Sequence, residues 1–343
     1  QYFELLNVGN SNVIVGASDN NTGNIKYGGD WVLENTMENI KSIYFNDSIS
    51  TYADLLANIT VGGIDYITSV TTTTATVTGP KTGTSSSIII PSTITYEGIV
   101  YTVNAIAYSA FSGGSGNWPV TSLSLPASLI VIGGYAFRNF SSLTSVTFGE
   151  NSQLTAIGGS AFRYTSLTSV AIPASVTSIG DSLFHQVTSL TSVTIPANSQ
   201  LTSIGSNAFN GTSIPEITIP EGVTSIGAYA FRDATSLTAI NIPASVTGLG
   251  SYAFYSATGL TSVTFAPGSP ITVINTYTFY LTASLTTITL PAGLTDIYGG
   301  AFNMGRLRRI TIPPGVTYIA TNAFTVQQDA LNEVTVNFDK LGT

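Results

Sequence analysis

The sequence predicts a β-rich solenoid of about ten coils, and three recurring features predict it. A phenylalanine, usually preceded by alanine, returns every 22–26 residues. Between the phenylalanines lies a strand-like alternation of apolar and hydroxyl residues, and a proline closes most of these alternations. A unit of this length cannot bury its apolar face alone, so neighbouring units must stack around a shared core. The phenylalanines are Phe111, Phe137, Phe162, Phe184, Phe209, Phe231, Phe254, Phe279, Phe302 and Phe324.

One unit shows how a coil is built. Residues 190–196 read Leu-Thr-Ser-Val-Thr-Ile-Pro, and this period of two predicts a strand with Val193 and Ile195 inward. Ser192 and Thr194 then face outward. Proline cannot donate to a ladder of backbone hydrogen bonds, so its column marks where each strand ends. The longer coils have extra residues in the turn that follows the strand, which predicts loops along one edge.

A glycine recurs a few positions before the phenylalanine in six coils. Either a backbone with φ > 0 or a close approach between coils would require glycine there. We expect the phenylalanines to stack along the core axis and the small alanine before them to leave room for the next coil. The glycines are Gly133, Gly158, Gly180, Gly205, Gly227 and Gly250.

Three regions separate along the chain. Residues 1–57 do not repeat and are acidic, and Trp31–Lys41 and Thr51–Ile59 have apolar residues at roughly helical spacing. We therefore predict a small N-terminal α/β segment. Residues 58–95 predict a β cap, and residues 96–343 predict the repeats.

The β cap is predicted from three β-branched runs that end at Gly or Pro. They lie at Tyr66–Val70, Ala75–Gly79 and Ser87–Pro91. Runs of this kind suit strands that pair with the first coil and cover its open edge.

Composition limits the possible classes of function. Only 8% of the residues are charged, the formal net charge is −8, and Lys and Arg together number 10. Nucleic acid is excluded as a partner because its binding needs clustered cations. The chain has no cysteine, which removes disulfides and thiolate chemistry. No apolar run approaches the ~20 residues of a transmembrane helix.

A hydroxyl-rich, charge-poor composition is typical of secreted and surface proteins, and we expect an extracellular location. The chain begins at Gln1 rather than Met. We expect that a natural start has been lost, either with a signal peptide or by the choice of boundary. Anchoring to a surface would then reside in parts outside this chain.

The repeated pattern Leu-Thr-Ser-Val-Thr-Ile-Pro-x-x-Val-Thr-Ser-Ile-Gly-x-x-Ala-Phe resembles the BspA-like leucine-rich repeat. Residues 94–103 resemble the strands that lead into such repeats, and the resemblance covers roughly residues 60–338. It implies a curved, right-handed leucine-rich-repeat superhelix with a parallel sheet on its concave face. It also implies a bacterial or protist surface protein used for adhesion and for binding matrix or host molecules.

The family often has a cysteine three residues after the phenylalanine, and this chain departs from that pattern. Other residues must therefore fill the packing role of the cysteine. In five coils the residues at this position are Phe140, Thr165, Val187, Thr212 and Ala234.

Residues suited to catalysis are few. His185 is the single histidine, and without cysteine neither Cys/His nucleophiles nor multi-histidine metal sites are available. Glu34 and Glu38 could share a helix face as acid–base pairs do, but an exposed acidic helix explains them better. Residues 19–24 are oxygen-rich but miss the spacing of a calcium loop, which favours a plain turn. We predict no enzyme activity, no cofactor and no metal site.

The residues directly after the phenylalanines form the first candidate binding column. We expect them to line one edge of the solenoid across eight coils. Arg and Tyr are enriched at binding hot spots, Arg as a forked donor to carboxylates and Tyr as stacking area for sugars or peptides. An undirected surface column is the alternative. The residues are Arg138, Arg163, His185, Asn210, Arg232, Tyr255, Tyr280 and Asn303.

The outward-facing strand threonines form the second candidate, a ladder spaced ~4.8 Å. Such a face resembles that of β-solenoid ice-binding proteins, although threonine also simply suits a solvated strand. A curved solenoid would lack the flatness that a lattice match needs. The residues are Thr147, Thr194, Thr218, Thr264, Thr289, Thr311 and Thr335, with Ser124, Ala171 and Asn241 at equivalent positions.

These observations predict a secreted or cell-surface protein that binds a protein or glycan through an extended repeat surface. Two alternatives stay open: an ice- or mineral-binding threonine ladder, and a passive spacer or assembly subunit. The cluster Arg306, Arg308 and Arg309 lies opposite in sequence to the acidic N-terminal residues, which would suit end-to-end contact between molecules.

Overall fold

The computed structural model describes most of the chain, and its regular structure is β-strand separated by turns. The described residues are 2–8, 11–17, 56–80, 86–111, 119–303, 306–324 and 333–336. The strands are β1 (Tyr2–Val8), β2 (Ser11–Ala17), β3 (Leu56–Val61), β4 (Ile64–Ser69), β5 (Thr74–Pro80), β6 (Ser87–Ile89), β7 (Thr93–Tyr96), β8 (Ile99–Ile106), β9 (Ser122–Leu125), β10 (Val131–Ile132), β11 (Ser145–Phe148), β12 (Ala156–Ile157), β13 (Ser169–Ala171), β14 (Ser178–Ile179), β15 (Ser192–Thr194), β16 (Ser203–Ile204), β17 (Ser225–Ile226), β18 (Ala239–Ile242), β19 (Gly248–Leu249), β20 (Ser262–Phe265), β21 (Val273–Ile274), β22 (Thr287–Thr289), β23 (Asp296–Ile297), β24 (Arg309–Ile312), β25 (Tyr318–Ile319) and β26 (Glu333–Val336).

Each coil has three sides. A strand of three or four residues forms the long-strand side, a two-residue strand forms the short-strand side, and a run of turns that includes the phenylalanine forms the turn side. Strands of successive coils pair parallel, so that Ser145 lies beside Ser122 and Ile157 beside Ile132. The short-strand sheet runs unbroken from the cap to β19, whereas the long-strand side consists of separate sheets β6-β9-β11, β13-β15, β18-β20 and β22-β24-β26.

A ladder of phenylalanine rings runs through the core. Neighbouring rings lie 5.0–6.1 Å apart between centroids, with planes 2–20° from parallel. Ten rings from Phe111 to Phe324 are joined in this way, so the described chain completes about nine turns. The predicted β-solenoid with stacked phenylalanines is confirmed.

Threonine hydroxyls tie neighbouring coils together on both strand sides. On the long-strand side, Thr144 donates to the carbonyl of Thr121 at 3.0 Å. On the short-strand side, Thr202 donates to the carbonyl of Thr177 at 2.9 Å. Such bonds recur from coil to coil and satisfy backbone acceptors of the preceding coil. They explain why a chain with so few charges is so rich in threonine.

The recurring glycines mark the closest approach between coils. A Cβ built on Gly250 would lie 2.2 Å from the backbone nitrogen of Ala228, and one on Gly133 would lie 2.4 Å from that of Tyr108. None of the six glycines has a positive φ. The close-approach explanation is therefore correct, and the φ > 0 explanation is wrong at these positions.

The predicted cap strands are confirmed. β3, β4 and β5 form an antiparallel meander, and β5 then pairs parallel with β8. β6 pairs parallel with β9 and so begins the long-strand side. The lead-in residues 94–103 fall in the antiparallel pair β7–β8, whose turn places Glu97 and Gly98 at φ 50° and 79°.

The predicted helix over Thr51–Ile59 is wrong in its described part. Leu56–Val61 is strand β3, because Gly62 and Gly63, at φ 59° and 80°, turn the chain into a hairpin that pairs β3 with β4. The other predicted helix, Trp31–Lys41, lies outside the described residues.

Residues at the family's usual cysteine position are buried in this chain. Thr165 and Thr212 each donate their hydroxyl to the carbonyl of the phenylalanine three residues earlier, at 2.9 and 2.8 Å. Val187 and Ala234 fill the same place with apolar groups, and Phe140 packs edge-on against Phe137. The packing role of the cysteine is thus divided between apolar side chains and hydroxyls that satisfy a turn carbonyl.

Candidate binding surface

The turn side of each coil is a series of overlapping tight turns. In the coil of Phe254, the N–H groups of three alternate residues each donate to the carbonyl three residues earlier, at 3.1–3.2 Å. Tyr252 at φ 61° and Ser256 at φ 55° are the third residues of two of these turns, in the left-handed region that type II turns require. Every coil from Phe137 to Phe279 repeats this pair of left-handed residues.

Hydrogen bonds between coils hold this backbone in place. The N–H groups of Tyr252, Phe254 and Ser256 donate to carbonyls of the next coil at 2.8–3.0 Å. A left-handed residue other than glycine costs roughly 1–2 kcal/mol and persists only where its surroundings fix it. The cross-coil bonds supply that fixation, so the side chains of the turn side start from a rigid backbone.

Two columns of side chains lie on this side, which we call the turn face. Column A is the residue two positions before the phenylalanine, and column B is the residue directly after the phenylalanine. The sequence analysis identified only column B. Column A consists of Ser109, Tyr135, Ser160, Ser182, Asn207, Tyr229, Tyr252, Tyr277, Gly300 and Asn322.

The two columns combine into one aromatic cluster in the coils of Phe231, Phe254 and Phe279. In column A the ring centroids of Tyr252 lie 4.6 Å from Tyr229 and 4.9 Å from Tyr277. In column B the rings are again stacked at 4.9 Å. We call this cluster the tyrosine platform; its members are Tyr229, Arg232, Tyr252, Tyr255, Tyr277 and Tyr280.

The two central rings of the platform have neighbours on both of their faces. Tyr252 lies between Tyr229 and Tyr277, and Tyr255 lies between Arg232 and Tyr280. The prediction that these tyrosines offer stacking area to sugars or peptides is therefore wrong for the covered faces. Each half-buried ring presents its edge and hydroxyl instead. Burial first, and then the neighbouring tyrosines, raise the pKa of Tyr252, so its hydroxyl stays a donor at neutral pH.

The tyrosine stack of column A ends at Tyr277, because the next member of the column is Gly300. A Cβ at Gly300 would lie 2.3 Å from the ring of Tyr277, so the ring occupies the space that a side chain would need. Gly300 also has φ 67°, like the left-handed residues of column A in the preceding coils. The tyrosine stack therefore has a defined end, two coils before the end of the phenylalanine ladder.

The three arginines of column B all lie against tyrosine rings. The guanidinium carbon of Arg138 is 5.3 Å from the ring centroid of Tyr135, and that of Arg163 is 4.7 Å from Tyr164. Arg232 is 5.7 Å from Tyr229 and 5.1 Å from the next coil's tyrosine. Cation–π contacts of this kind restrain the guanidinium plane and leave its N–H edge outward.

His185 lies between two of these arginines in column B. Burial first, and then the positive charges of Arg163 and Arg232, lower the pKa of His185. Its Nδ1 is buried and has no hydrogen-bond partner among the described residues. The histidine is therefore neutral at pH 7, and the centre of the turn face carries positive potential from the arginines alone.

One column B residue does not face solvent as predicted. Asn210 is 4% exposed and donates to Asn207 Oδ1 at 2.9 Å. The other seven members of column B are half-buried.

The threonine column of the long-strand side is exposed as predicted, but it is not continuous. Thr264 lies beside Asn241 and donates to its Oδ1 at 2.9 Å, and Thr289 lies beside Thr311. Thr218 lies in no strand, because Pro215 stands where other coils have a threonine that donates its N–H to the preceding coil. The exposed residues of this column are Thr147, Thr194, Thr218, Thr264, Thr289 and Thr311.

The remaining candidates from the sequence add no site in the described residues. Arg306, Arg308 and Arg309 are exposed near the last described coils. Glu34, Glu38 and the oxygen-rich residues 19–24 lie outside the described part of the chain. Across that part, no group of three or more His, Cys, Asp or Glu side chains could hold a metal ion. Nor does any described helix have the length and apolar character needed to cross a membrane.

The repeat region matches the family model of the BspA type leucine rich repeat region, in six copies over residues 104–233 and 202–332. The chain belongs to the BspA-type leucine-rich repeat family. No curated protein is detectably similar to it in sequence.

Solved structures of bacterial proteins, several of them described as leucine-rich repeat proteins, are similar to this chain. A leucine rich cell surface protein from Faecalibacterium prausnitzii is 27% identical, with a TM-score of 0.44 over 82% of this chain and 95% of that one. The pneumococcal vaccine antigen PcpA is 21% identical, with a TM-score of 0.56 over 82% of this chain and 87% of that one. The second likeness supports the solenoid architecture.

Proposed function

We propose that this protein is a secreted or cell-surface binding protein, and that the turn face is its recognition surface. The observation that carries the proposal is the tyrosine platform, a cluster of one arginine and five tyrosines fixed against each other over three coils. Tyr and Arg dominate binding hot spots. Recognition without catalysis, cofactor or metal fits this surface.

The rigidity of the turn face supports a binding role. Ordering a side chain at an interface costs roughly 0.5–1.5 kcal/mol, and a side chain that is already fixed avoids most of that cost. Tyr252 is held by rings on both sides, and its backbone is held by cross-coil hydrogen bonds. A partner would therefore meet a surface whose shape is set before contact.

A cell-surface location is supported by the family and by composition. The similar protein from Faecalibacterium prausnitzii is described as a cell surface protein. Only 8% of the residues of the present chain are charged. A partner of protein or glycan type at a cell surface or in a matrix is consistent with both.

The threonine column supports the ice- or mineral-binding alternative less well. A lattice match needs a regular array of hydroxyls, whereas the long-strand side is divided into separate sheets. Ala171 and Asn241 interrupt the column chemically, and the strand is lost at Thr218.

The test compares the two faces on an array of purified matrix proteins, cell-surface proteins and glycans. One variant replaces Arg138, Arg163 and Arg232 with Ala on the turn face. The matched variant replaces Thr147 and Thr264 with Lys on the long-strand side. We expect the first variant to lose binding at an unchanged melting temperature and the second to bind like wild type.

Loss of binding in the threonine variant alone would move the site to the long-strand side. An array with no ligand for wild type, together with self-association that grows with concentration, would replace the proposal with the spacer or assembly role. Either result would be clear from the same set of proteins.

A further inference from the structure

Arg232 is the most firmly positioned arginine of the turn face. Its guanidinium carbon lies within 5.7 Å of the ring centroids of Tyr229 and Tyr255, one from its own coil and one from the next. Its Nε donates to Asp233 Oδ2 at 3.1 Å, so both the plane and the rotation of the group are set. Within the described residues, its two terminal nitrogens have no hydrogen-bond partner.

The other two arginines of column B are held less completely. Arg138 contacts one ring, and its Nε is buried without a partner. Arg163 also contacts one ring, and it uses a terminal nitrogen to donate to Tyr164 Oη at 3.0 Å. Arg232 alone combines a fixed plane with a free pair of terminal donors.

The charges around Arg232 favour an anionic ligand. The acidic residues on the turn face are already engaged: Asp233 accepts from Arg232, and Asp181 accepts the N–H of Ser206 at 2.7 Å. Burial first, and then the positive charges of Arg163 and Arg232, oppose the protonation of His185. Within the described residues Arg163 has no carboxylate partner, and Arg232, paired with Asp233 through Nε, keeps its two terminal nitrogens for a second anion.

We propose that Arg232 is the anchor of a carboxylate-binding site, and that its ligand is an aspartate or glutamate side chain of a partner protein. The proposal rests on the proposed function of the turn face and names its ligand chemistry. A guanidinium with two parallel terminal donors binds a carboxylate through two hydrogen bonds, which a lysine cannot do. The rings on either side hold this fork in place before the ligand arrives.

A protein carboxylate is favoured over a sugar carboxylate because of the way the tyrosine rings of the platform are arranged. Proteins that bind sugar rings by stacking need free aromatic faces, and the two central rings of the platform, Tyr252 and Tyr255, have neighbours on both faces. The ring edges and hydroxyls that remain, beside Ser, Asn and Arg, make up a rigid surface of the composition found in antibody binding sites. The net charge of −8 also opposes a densely charged polyanion.

The experiment pans a random peptide library on the full chain and measures the recovered peptides against four proteins. These are wild type, Arg232→Gln, Arg232→Lys and the matched control Arg308→Gln, which makes the same charge change at an exposed residue outside the turn face. We expect recovered peptides enriched in Asp and Glu, and we expect both Arg232 variants to weaken their binding by about tenfold or more. Arg308→Gln should change it by less than about threefold, as expected for a partly screened surface charge.

Three results would overturn the proposal. Recovery of no peptide, or of peptides without Asp or Glu, would remove the acidic ligand. Equal losses in Arg232→Gln and Arg308→Gln, with Arg232→Lys unchanged, would reduce the effect to general charge attraction. Displacement of the peptides by polygalacturonate but not by poly-L-glutamate would assign the site to sugar carboxylates.

The two proposals can fail separately. If the array yields a partner that depends on the turn face but binds Arg232→Gln normally, the proposed function stands and the anchor role is wrong. If acidic peptides require Arg232 but no array partner depends on the turn face, the anchor stands and the wider recognition surface does not. Melting temperatures of all variants show whether any loss reflects unfolding.

Discussion

The turn face and the long-strand side share one core and one period, yet their side chains are organised differently. On the long-strand side, a threonine directly before six of the strands donates to a backbone carbonyl of the preceding coil, and threonines further along, such as Thr289, are exposed. On the turn face, Tyr252 and Arg232 contact other side chains on both sides. Repetition of the backbone therefore does not by itself make a binding surface, because that also needs side chains that fix each other.

The largest expected effect concerns the point where the chain leaves the short strand and enters the turn face. Gly250→Ala should destabilise the protein by about 3 kcal/mol, because the new Cβ would meet backbone atoms of the preceding coil at 2.2–2.6 Å. Gly248→Ala, two residues earlier, has nothing within 4 Å of its Cβ and should change stability by less than about 0.5 kcal/mol. Urea unfolding of both variants measures the difference.

Equal stability of these two variants would contradict the close approach of coils at the start of the turn face. It would also remove the explanation of the glycine column given by the geometry at Gly133 and Gly250.

The next effect separates the two faces directly. Tyr252→Ala should lower the free energy of unfolding by about 2 kcal/mol, because it removes two stacked ring contacts. The backbone strain at φ 61° is the same for alanine as for tyrosine at this position. Thr264→Ala, exposed on the long-strand side, should stay within about 0.5 kcal/mol of wild type. Thermal unfolding followed by circular dichroism provides the comparison. Tyr252→Phe, which keeps the ring, serves as the control and should resemble wild type.

A smaller effect tests whether the threonine hydroxyls of the long-strand side differ in their contribution to stability. Thr261 donates to the carbonyl of Thr238 at 2.9 Å, so Thr261→Val should cost about 0.5–1 kcal/mol. Thr289 is equally exposed but has no hydroxyl partner in the described residues, so Thr289→Val should be close to neutral. The midpoints of chemical denaturation compare the stabilities of the two variants. A larger loss of stability in Thr289→Val than in Thr261→Val would contradict the structural role assigned to Thr261.

The smallest effect is a pH dependence from the centre of the turn face. The pKa of His185 is lowered in the folded protein, by burial first and then by Arg163 and Arg232. Below about pH 6.5 the unfolded chain therefore binds a proton that the folded chain resists, so stability should fall as pH drops from 7 to about 5. His185→Asn should flatten this part of the profile, and melting temperatures across the range measure it. An unchanged profile would show that His185 titrates normally.

The core of this fold could be predicted from sequence because it depends on composition and period alone. Phe231 and its equivalents had to be buried and had to stack, and Pro196 and its equivalents had to end strands. The glycine column was predicted with two explanations, and only the distances between coils could choose the close approach. Positive φ fell on Tyr252 and its equivalents, which no propensity favours, because cross-coil hydrogen bonds outweigh the intrinsic cost.

Only half of the candidate site was predicted. Column B was found because it adjoins the phenylalanine, whereas column A was missed because its nearness to column B depends on the geometry of the turns. A signal was present, since tyrosine and arginine recur three residues apart as Tyr135 with Arg138 and as Tyr229 with Arg232. The covering of the ring faces could not be predicted, because it depends on side-chain orientation rather than on spacing.

Because of Gly300, the length of the solenoid and the length of the tyrosine stack are independent of each other. The phenylalanine ladder continues past Gly300 to Phe324, so the length of the solenoid is set by its number of coils. The tyrosine stack ends where a glycine replaces a side chain in column A. Coils could therefore be gained or lost beyond Gly300 without altering the area offered to a partner. By contrast, replacing one tyrosine of column A before Gly300 would shorten the tyrosine stack, while the solenoid would keep its full length.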